Sequence, residues 1–271
     1  MKQAIQIRGG NMNKKNYSRN IVFIHGLFQN PESWGNWITY FERKGFACHA
    51  PAYPYHAGKP EVLRKNIDQK LGKLTFGQVI DSLSTFIDML PEKPVLIGHS
   101  MGGLAVQKLL EMDKGAAAIA IDPAPPAGIF SFKWSFLRAN LPTINPFKGN
   151  APCLPSVEWF HYAFCNTMTM GETKKEYDLF VVPESRNIPR SSTGKDGKIS
   201  FRKPHNPILI IAGEKDNIIP SSLIKKNFAA YKGSDGVIDF KEFPGRTHYI
   251  CGQKGWAEVA DHILQWLEKF R

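Results

Sequence analysis

Val95-Leu96-Ile97-Gly98-His99-Ser100-Met101-Gly102-Gly103-Leu104 is the stretch that decides the architecture. Its apolar start reads as a strand buried on both faces. The strand runs into Gly-x-Ser-x-Gly, and the GLAVQKLLEM that follows has helical spacing. A strand that turns abruptly into a helix forces the turn residue into strained backbone and pushes its side chain outward. Glycines on either side let strand and helix approach closely. A serine at such an elbow also sits at a helix N-terminus, where free N–H groups and the helix dipole favour developing negative charge. Ser100 is therefore a candidate nucleophile, and the backbone N–H of Met101 a candidate oxyanion donor.

Outward from this elbow the chain alternates short apolar runs with amphipathic ones. Strand-like runs lie at 21–24, 46–50, 94–97, 117–121, 208–212 and 237–243, and helical patterns at 32–43, 76–90, 101–112, 221–231 and 256–270. Repeated strand–helix alternation predicts an α/β fold, a mostly parallel sheet with helices on both faces, its strands apolar throughout because both faces are covered. Little chain precedes the first strong run, so any extra N-terminal strand is reduced to something like residues 4–8. Residues 123–206 break the rhythm and are rich in Pro, Phe and Trp. A structureless loop of that length inside a compact domain is very unusual. The expected division is therefore an α/β core of 1–122 and 207–271 with a helical cap inserted at 123–206.

A serine hydroxyl near neutral pH needs a base, and the base needs an orienting acid; in this fold they follow in the order Ser, Asp or Glu, His. Ile211-Ala212-Gly213-Glu214-Lys215-Asp216 ends one strand in a Gly turn, and Phe243-Pro244-Gly245-Arg246-Thr247-His248 ends the next. Parallel strands present their carboxyl ends on one edge, so Ser100, Asp216 and His248 can converge. Asp122, at the end of AIAID, and Glu214 are rival acids. Ile24-His25-Gly26-Leu27 closes the first strand, and the N–H of Leu27 is the natural second oxyanion donor beside Met101. His25 is expected to hold that turn together. Activity is expected to fall on the acid side with an apparent pKa near that of a histidine, roughly 6–7.

HGLFQNPESW, GHSMGG, LIIAGEKDNIIP and FPGRTHY together resemble the four signature segments of the α/β-hydrolase fold superfamily, in its order, from residue 21 to the C-terminus. The resemblance implies that Ser100 is the nucleophile, Asp216 the acid, His248 the base and 25–27 the oxyanion turn, with 123–206 as the cap. IDPAPP is similar to a segment of small bacterial esterase- or lysophospholipase-like hydrolases. Serine at 100 separates the chain from haloalkane dehalogenases and epoxide hydrolases, which carry Asp there. The first expectation is hydrolysis of carboxylic esters or thioesters of small to medium apolar substrates. Cofactor-free perhydrolysis of the haloperoxidase type, carbon–carbon hydrolysis, cyanohydrin cleavage by a hydroxynitrile lyase and a non-catalytic small-molecule binder are the alternatives.

Composition narrows the rest. A hydrophobic fraction of 42% fits a packed core, yet no apolar run approaches the length of a membrane span. The basic N-terminus lacks the apolar region of a signal peptide, which points to the cytoplasm. The formal charge of +11 includes five Lys or Arg and no acid in the first twenty residues; the remainder is spread over the chain, so no nucleic acid is expected as partner. Cys48, Cys153, Cys165 and Cys251 are scattered without metal-ligand spacing, and neither a metal nor a cofactor is expected. Most of the rings of Phe130, Phe132, Trp134, Phe136, Trp159, Phe160, Tyr162 and Phe164 are expected to pack the insertion onto the sheet. Phe28, Trp159, Phe160 and Phe164 are the candidates for an apolar pocket above Ser100.

Overall fold

In the computed structural model, which describes residues 18–270, the apolar runs pair as one six-stranded parallel sheet in the order β2-β1-β3-β4-β5-β6. The strands are β1 (Asn20–Ile24), β2 (Ala47–His49), β3 (Val95–His99), β4 (Ala117–Ile121), β5 (Ile208–Gly213) and β6 (Ile238–Phe243). The chain steps from β1 outward to β2 and then returns past β1 to β3. That reversal opens a crevice beyond the carboxyl ends of β1 and β3, where open α/β sheets bind their ligands. Ile24 pairs with Gly98 at this point, so the His25-Gly26-Leu27 turn and the Ser100 elbow stand side by side.

Side chains on a strand alternate between faces, and here each face has its own core. Phe23, Ile97, Ile119 and Ile211 pack under α1 (Gly35–Glu42) and α10 (Trp256–Glu268), whose Val259, Ile263, Trp266 and Leu267 form the expected stripe. Val22, Leu96, Ala118 and Ile210 pack under α3 (Phe76–Asp88), α4 (Met101–Glu111) and α9 (Ser221–Ala230). A capping box between Thr75 and Gln78 starts α3. One further helix, α2 (Pro60–Lys65), follows β2 and has no counterpart in the sequence reading, because six residues are too few to show a period.

One expectation needs correction, and the one for the rings holds for five of the eight. β2 and β6 are not covered on both faces: β6 reads IDFKEF with only Phe243 fully buried, as suits an edge strand with a single neighbour. Phe130, Phe132 and Trp134 do not pack onto the sheet but stand exposed. Residues 4–8 lie outside the described residues. Between β4 and β5 come α5 (Trp134–Ile144), α6 (Val157–Ala163), α7 (Met170–Phe180) and α8 (Asn187–Ser192), with an isolated antiparallel bridge from Cys153 to Glu184. Among the described residues no helix is long and apolar enough to cross a membrane.

Candidate active site

Ser100 sits at φ 56° and ψ −117°, in the left-handed region that side chains rarely adopt. Such strain costs on the order of 1–3 kcal/mol and persists only where the surroundings over-determine it. Here the Ser100 N–H donates to the Ile121 carbonyl at 2.9 Å, and its own carbonyl accepts from Leu104 at 3.2 Å and Ala124 at 2.9 Å. The flanking glycines are sterically compulsory. A Cβ on Gly98 would lie 2.1 Å from the Gly102 carbonyl oxygen, and one on Gly102 would lie 2.2 Å from that of Ile24. Met101 is the first residue of α4, so its N–H has no partner within the helix.

The structure brings Ser100, His248 and Asp216 into one line. Ser100 Oγ lies 2.9 Å from His248 Nε2, and His248 Nδ1 lies 2.6 Å from Asp216 Oδ2. Asp216 Oδ1 also accepts from the backbone N–H groups of Ile218, at 2.8 Å, and Ile219, at 2.7 Å. His99 Nε2 holds the His248 carbonyl at 2.8 Å, and the Phe164 ring meets the His248 ring edge-on at 4.7 Å. Burial pushes the His248 imidazole down to about 3, so it is neutral at working pH: Nδ1 donates to Asp216 and Nε2 accepts from Ser100.

The rival acids separate cleanly. Glu214 faces solvent and pairs with Lys215. Asp122 is buried near His248, but its Oδ1 accepts from the Gly213 N–H at 2.6 Å, which ties the top of β4 to that of β5. Burial pushes both Asp122 and Asp216 up from the usual aspartate range. Asp216 receives three N–H donors, and Asp122 receives that of Gly213 and feels the charge of Asp216, so the negative charge of the pair resides on Asp216. His99, Asp122 and His248 place possible metal-ligand atoms within 4.8 Å of one another. Both His248 nitrogens and His99 Nε2 are already engaged within the protein, which leaves His99 Nδ1 and Asp122 Oδ2 as the atoms of the trio without a hydrogen-bond partner.

The turn that carries Leu27 is braced on two sides. His25 donates from Nδ1 to the Gly26 carbonyl at 2.9 Å and accepts at Nε2 from the Tyr53 N–H at 3.3 Å, which specifies one neutral tautomer. Burial accordingly lowers His25 to about 3. The Tyr53 hydroxyl donates to the His25 carbonyl at 2.6 Å. On the other side Glu184, from the segment between β4 and β5, accepts from the Phe28 N–H at 3.4 Å and pairs with His56 at 3.1 Å, both side chains buried. Burial opposes a charge on His56, but the Glu184 carboxylate more than offsets it and the imidazole is raised. The Val182 N–H donates to the Phe28 carbonyl at 3.0 Å, and Phe28 is itself at φ 62°. Sequence reasoning missed Tyr53, His56 and Glu184. The available signal was a lone carboxylate closing the apolar Val181-Val182-Pro183, the same cue that marked Asp122.

Of the pocket candidates, Phe28 and Trp159 meet edge to face at 5.4 Å and line a cavity of about 210 Å³ together with Pro142, Thr143, Leu154 and Pro155. Phe160 and Phe164 are fully buried behind them, stacked on each other at 4.8 Å.

A strained serine elbow beside a His-Gly turn on a parallel sheet defines a class. The sequence pattern of the alpha/beta hydrolase family matches residues 21–262, and the chain belongs to that family. No curated protein matches it in sequence. Among solved structures it is similar to a monoacylglycerol lipase of Paleococcus ferrophilus, with 22% identity over 94% of this chain and 96% of that one and a TM-score of 0.65. An extracellular alpha/beta-hydrolase from a Paenibacillus species shares 18% identity over 91% and 98%, with a TM-score of 0.69. Tomato methylketone synthase I in complex with 2-tridecanone shares 17% over 94% and 99%, with a TM-score of 0.67. At these identities the likeness concerns the fold.

Proposed function

We propose that the chain is a serine hydrolase of carboxylic esters or thioesters with small to medium apolar acyl groups, with residues 123–206 acting as a cap over the site. The observation that carries this reading is the unbroken hydrogen-bond line from Asp216 through His248 to the elbow Ser100, which stands beside the Leu27 turn. Ser100 Oγ attacks the acyl carbon while His248 Nε2 takes its proton, and Asp216 stabilises the imidazolium so formed. The negative charge that develops on the carbonyl oxygen is met by the N–H groups of Leu27 and Met101, the latter at the positive end of α4. The carbonyl re-forms as the leaving alcohol or thiol takes the proton from His248. Water then repeats the sequence on the acyl-Ser100 bond and releases the acid. The cavity bounded by Phe28 and Trp159, adjoining the Leu27 turn, supports an apolar acyl site. The lipase and the ketone-binding synthase among the structural neighbours accord with apolar substrates.

Fluorophosphonate labelling of Ser100 and a panel of p-nitrophenyl esters test this reading. Each CH₂ that enters an apolar site is worth about 0.8 kcal/mol, so kcat/KM is expected to rise from acetyl to butyryl or hexanoyl esters. Trp159→Ala should flatten that rise more than it lowers activity on acetyl esters. A preference for acetyl or charged acyl groups rejects the apolar site, and absence of labelling rejects the hydrolase.

The pH profile offers a separate check. Because burial disfavours the imidazolium, His248 stays a competent base to lower pH than an ordinary histidine. The acid limb of kcat/KM is therefore expected below the 6–7 that the sequence alone suggests, the Asp216 carboxylate offsetting part of the effect of burial. An apparent pKa of about 6.5 or higher would show that solvent reaches His248 in the free enzyme.

A further inference from the structure

The segment between β4 and β5 carries apolar side chains on its outside that the chemistry above does not use. Phe130, Phe132, Trp134, Leu141 and Phe147 are 56%, 81%, 72%, 55% and 95% exposed. Phe130 and Phe132 pack edge to face at 5.0 Å, so the rings form a ridge rather than scattered points. Along α5, Trp134, Arg138 and Leu141 recur on one face and are exposed, while Ala139 and Thr143 are buried. Phe136 packs against the core on the inner side, so a helix that also turns Trp134 and Leu141 to water carries more apolar surface than this chain covers.

The net charge around this face is positive. Residues 123–157 contain no Asp or Glu, while Lys133, Arg138 and Lys148 are all exposed. Lys226 of α9 reaches the Phe130 carbonyl at 3.3 Å. Glu214 and Glu242, which share a cleft with Lys133, are already paired with Lys215 and Lys225. Exposed rings interleaved with cations and free of acids match the boundary between anionic headgroups and acyl chains, where rings sink in and cations meet phosphate. A second copy of the chain would bring the same patch against itself, cation facing cation, which disfavours a symmetric dimer through this face. The far side of α5 also leads inward, since Pro142 and Thr143 line the cavity shared with Phe28 and Trp159.

We propose that the exposed face of α5, with Phe130, Phe132 and Phe147 at its flanks, docks on a bilayer containing anionic phospholipid. The inference rests on the patch and not on the hydrolase reading, and its test needs no catalysis. Wild-type protein should co-sediment with phosphatidylcholine vesicles that contain phosphatidylglycerol, more weakly with pure phosphatidylcholine, and less as salt is raised. The triple variant Phe132→Ser, Trp134→Ser, Phe147→Ser removes only exposed rings and should bind at least roughly tenfold more weakly, with an unchanged circular dichroism spectrum. Lys133→Glu with Lys148→Glu should lose the preference for phosphatidylglycerol. Failure of the wild type to bind either vesicle, or undiminished binding by both variants, overturns the proposal. So does a lipid-free dimer in sedimentation velocity that the ring substitutions convert to monomer, which would assign the face to a second copy.

Discussion

Ser100→Ala is expected to lower kcat/KM for p-nitrophenyl butyrate on the order of 10⁴–10⁶-fold and to abolish fluorophosphonate labelling. The substitution removes the one oxygen placed 2.9 Å from His248 Nε2 and leaves the oxyanion donors and the acyl site in place. Residual turnover then comes from binding and from the Leu27 and Met101 N–H groups alone. The fold should survive, because the elbow is held by backbone bonds from Ser100 to Ile121, Leu104 and Ala124, which alanine retains. Near-wild-type thermal unfolding with activity lost is thus the expected pair of results. Activity retained within about tenfold in a folded Ser100→Ala protein would sink the mechanism outright.

The two buried aspartates are expected to respond very differently to the same change. In Asp216→Asn the side-chain oxygen can still accept from Ile218 and Ile219, but the amide nitrogen then faces His248 Nδ1. That donor forces the histidine to carry its proton on Nε2, where it can no longer accept one from Ser100. A loss of about 10⁴-fold in kcat follows, since the imidazolium is also left without its counter-charge. In Asp122→Asn the side-chain oxygen keeps the Gly213 N–H, and an amide replaces a carboxyl whose ionisation burial disfavours. Its effect on kcat should stay within about tenfold. Steady-state kinetics on both variants, with folding checked by circular dichroism, decides between them. If Asp122→Asn is the more damaging, the acid has been assigned to the wrong strand.

Much of the candidate site was legible because it depends on local order. GHSMGG specifies its own turn: the glycines are demanded because a Cβ at Gly98 or Gly102 would lie 2.1 Å or 2.2 Å from the carbonyl oxygen of Gly102 or Ile24. Asp216 and His248 each follow a strand of a parallel sheet, and parallel strands deliver their ends to a common edge whatever the intervening chain does. Boundaries of the central strands fell within two residues for the same reason, since β-branched runs covered on both faces have no competing reading. The edge strands were located to within one residue, but their half-exposed faces were not foreseen, and α2 escaped notice because six residues carry no period.

What the sequence by itself determined about this protein is the parallel α/β sheet, the serine elbow and the order of its partners, all written in short-range patterns of apolar period and glycine. Only the tertiary structure decided which of two strand-end aspartates meets His248, because that depends on how two loops pack and on which carboxyl collects the N–H donors. It also decided that Glu184 and His56 brace Phe28 across 156 and 128 residues of chain, a pairing that no local pattern encodes. And it divided the aromatics of the segment between β4 and β5, sending Phe160 and Phe164 to the interior and Phe132 and Trp134 to the outside. All four are large apolar rings; burial depends on which face of each segment the rest of the protein covers, and that is a property of packing, not of the residue.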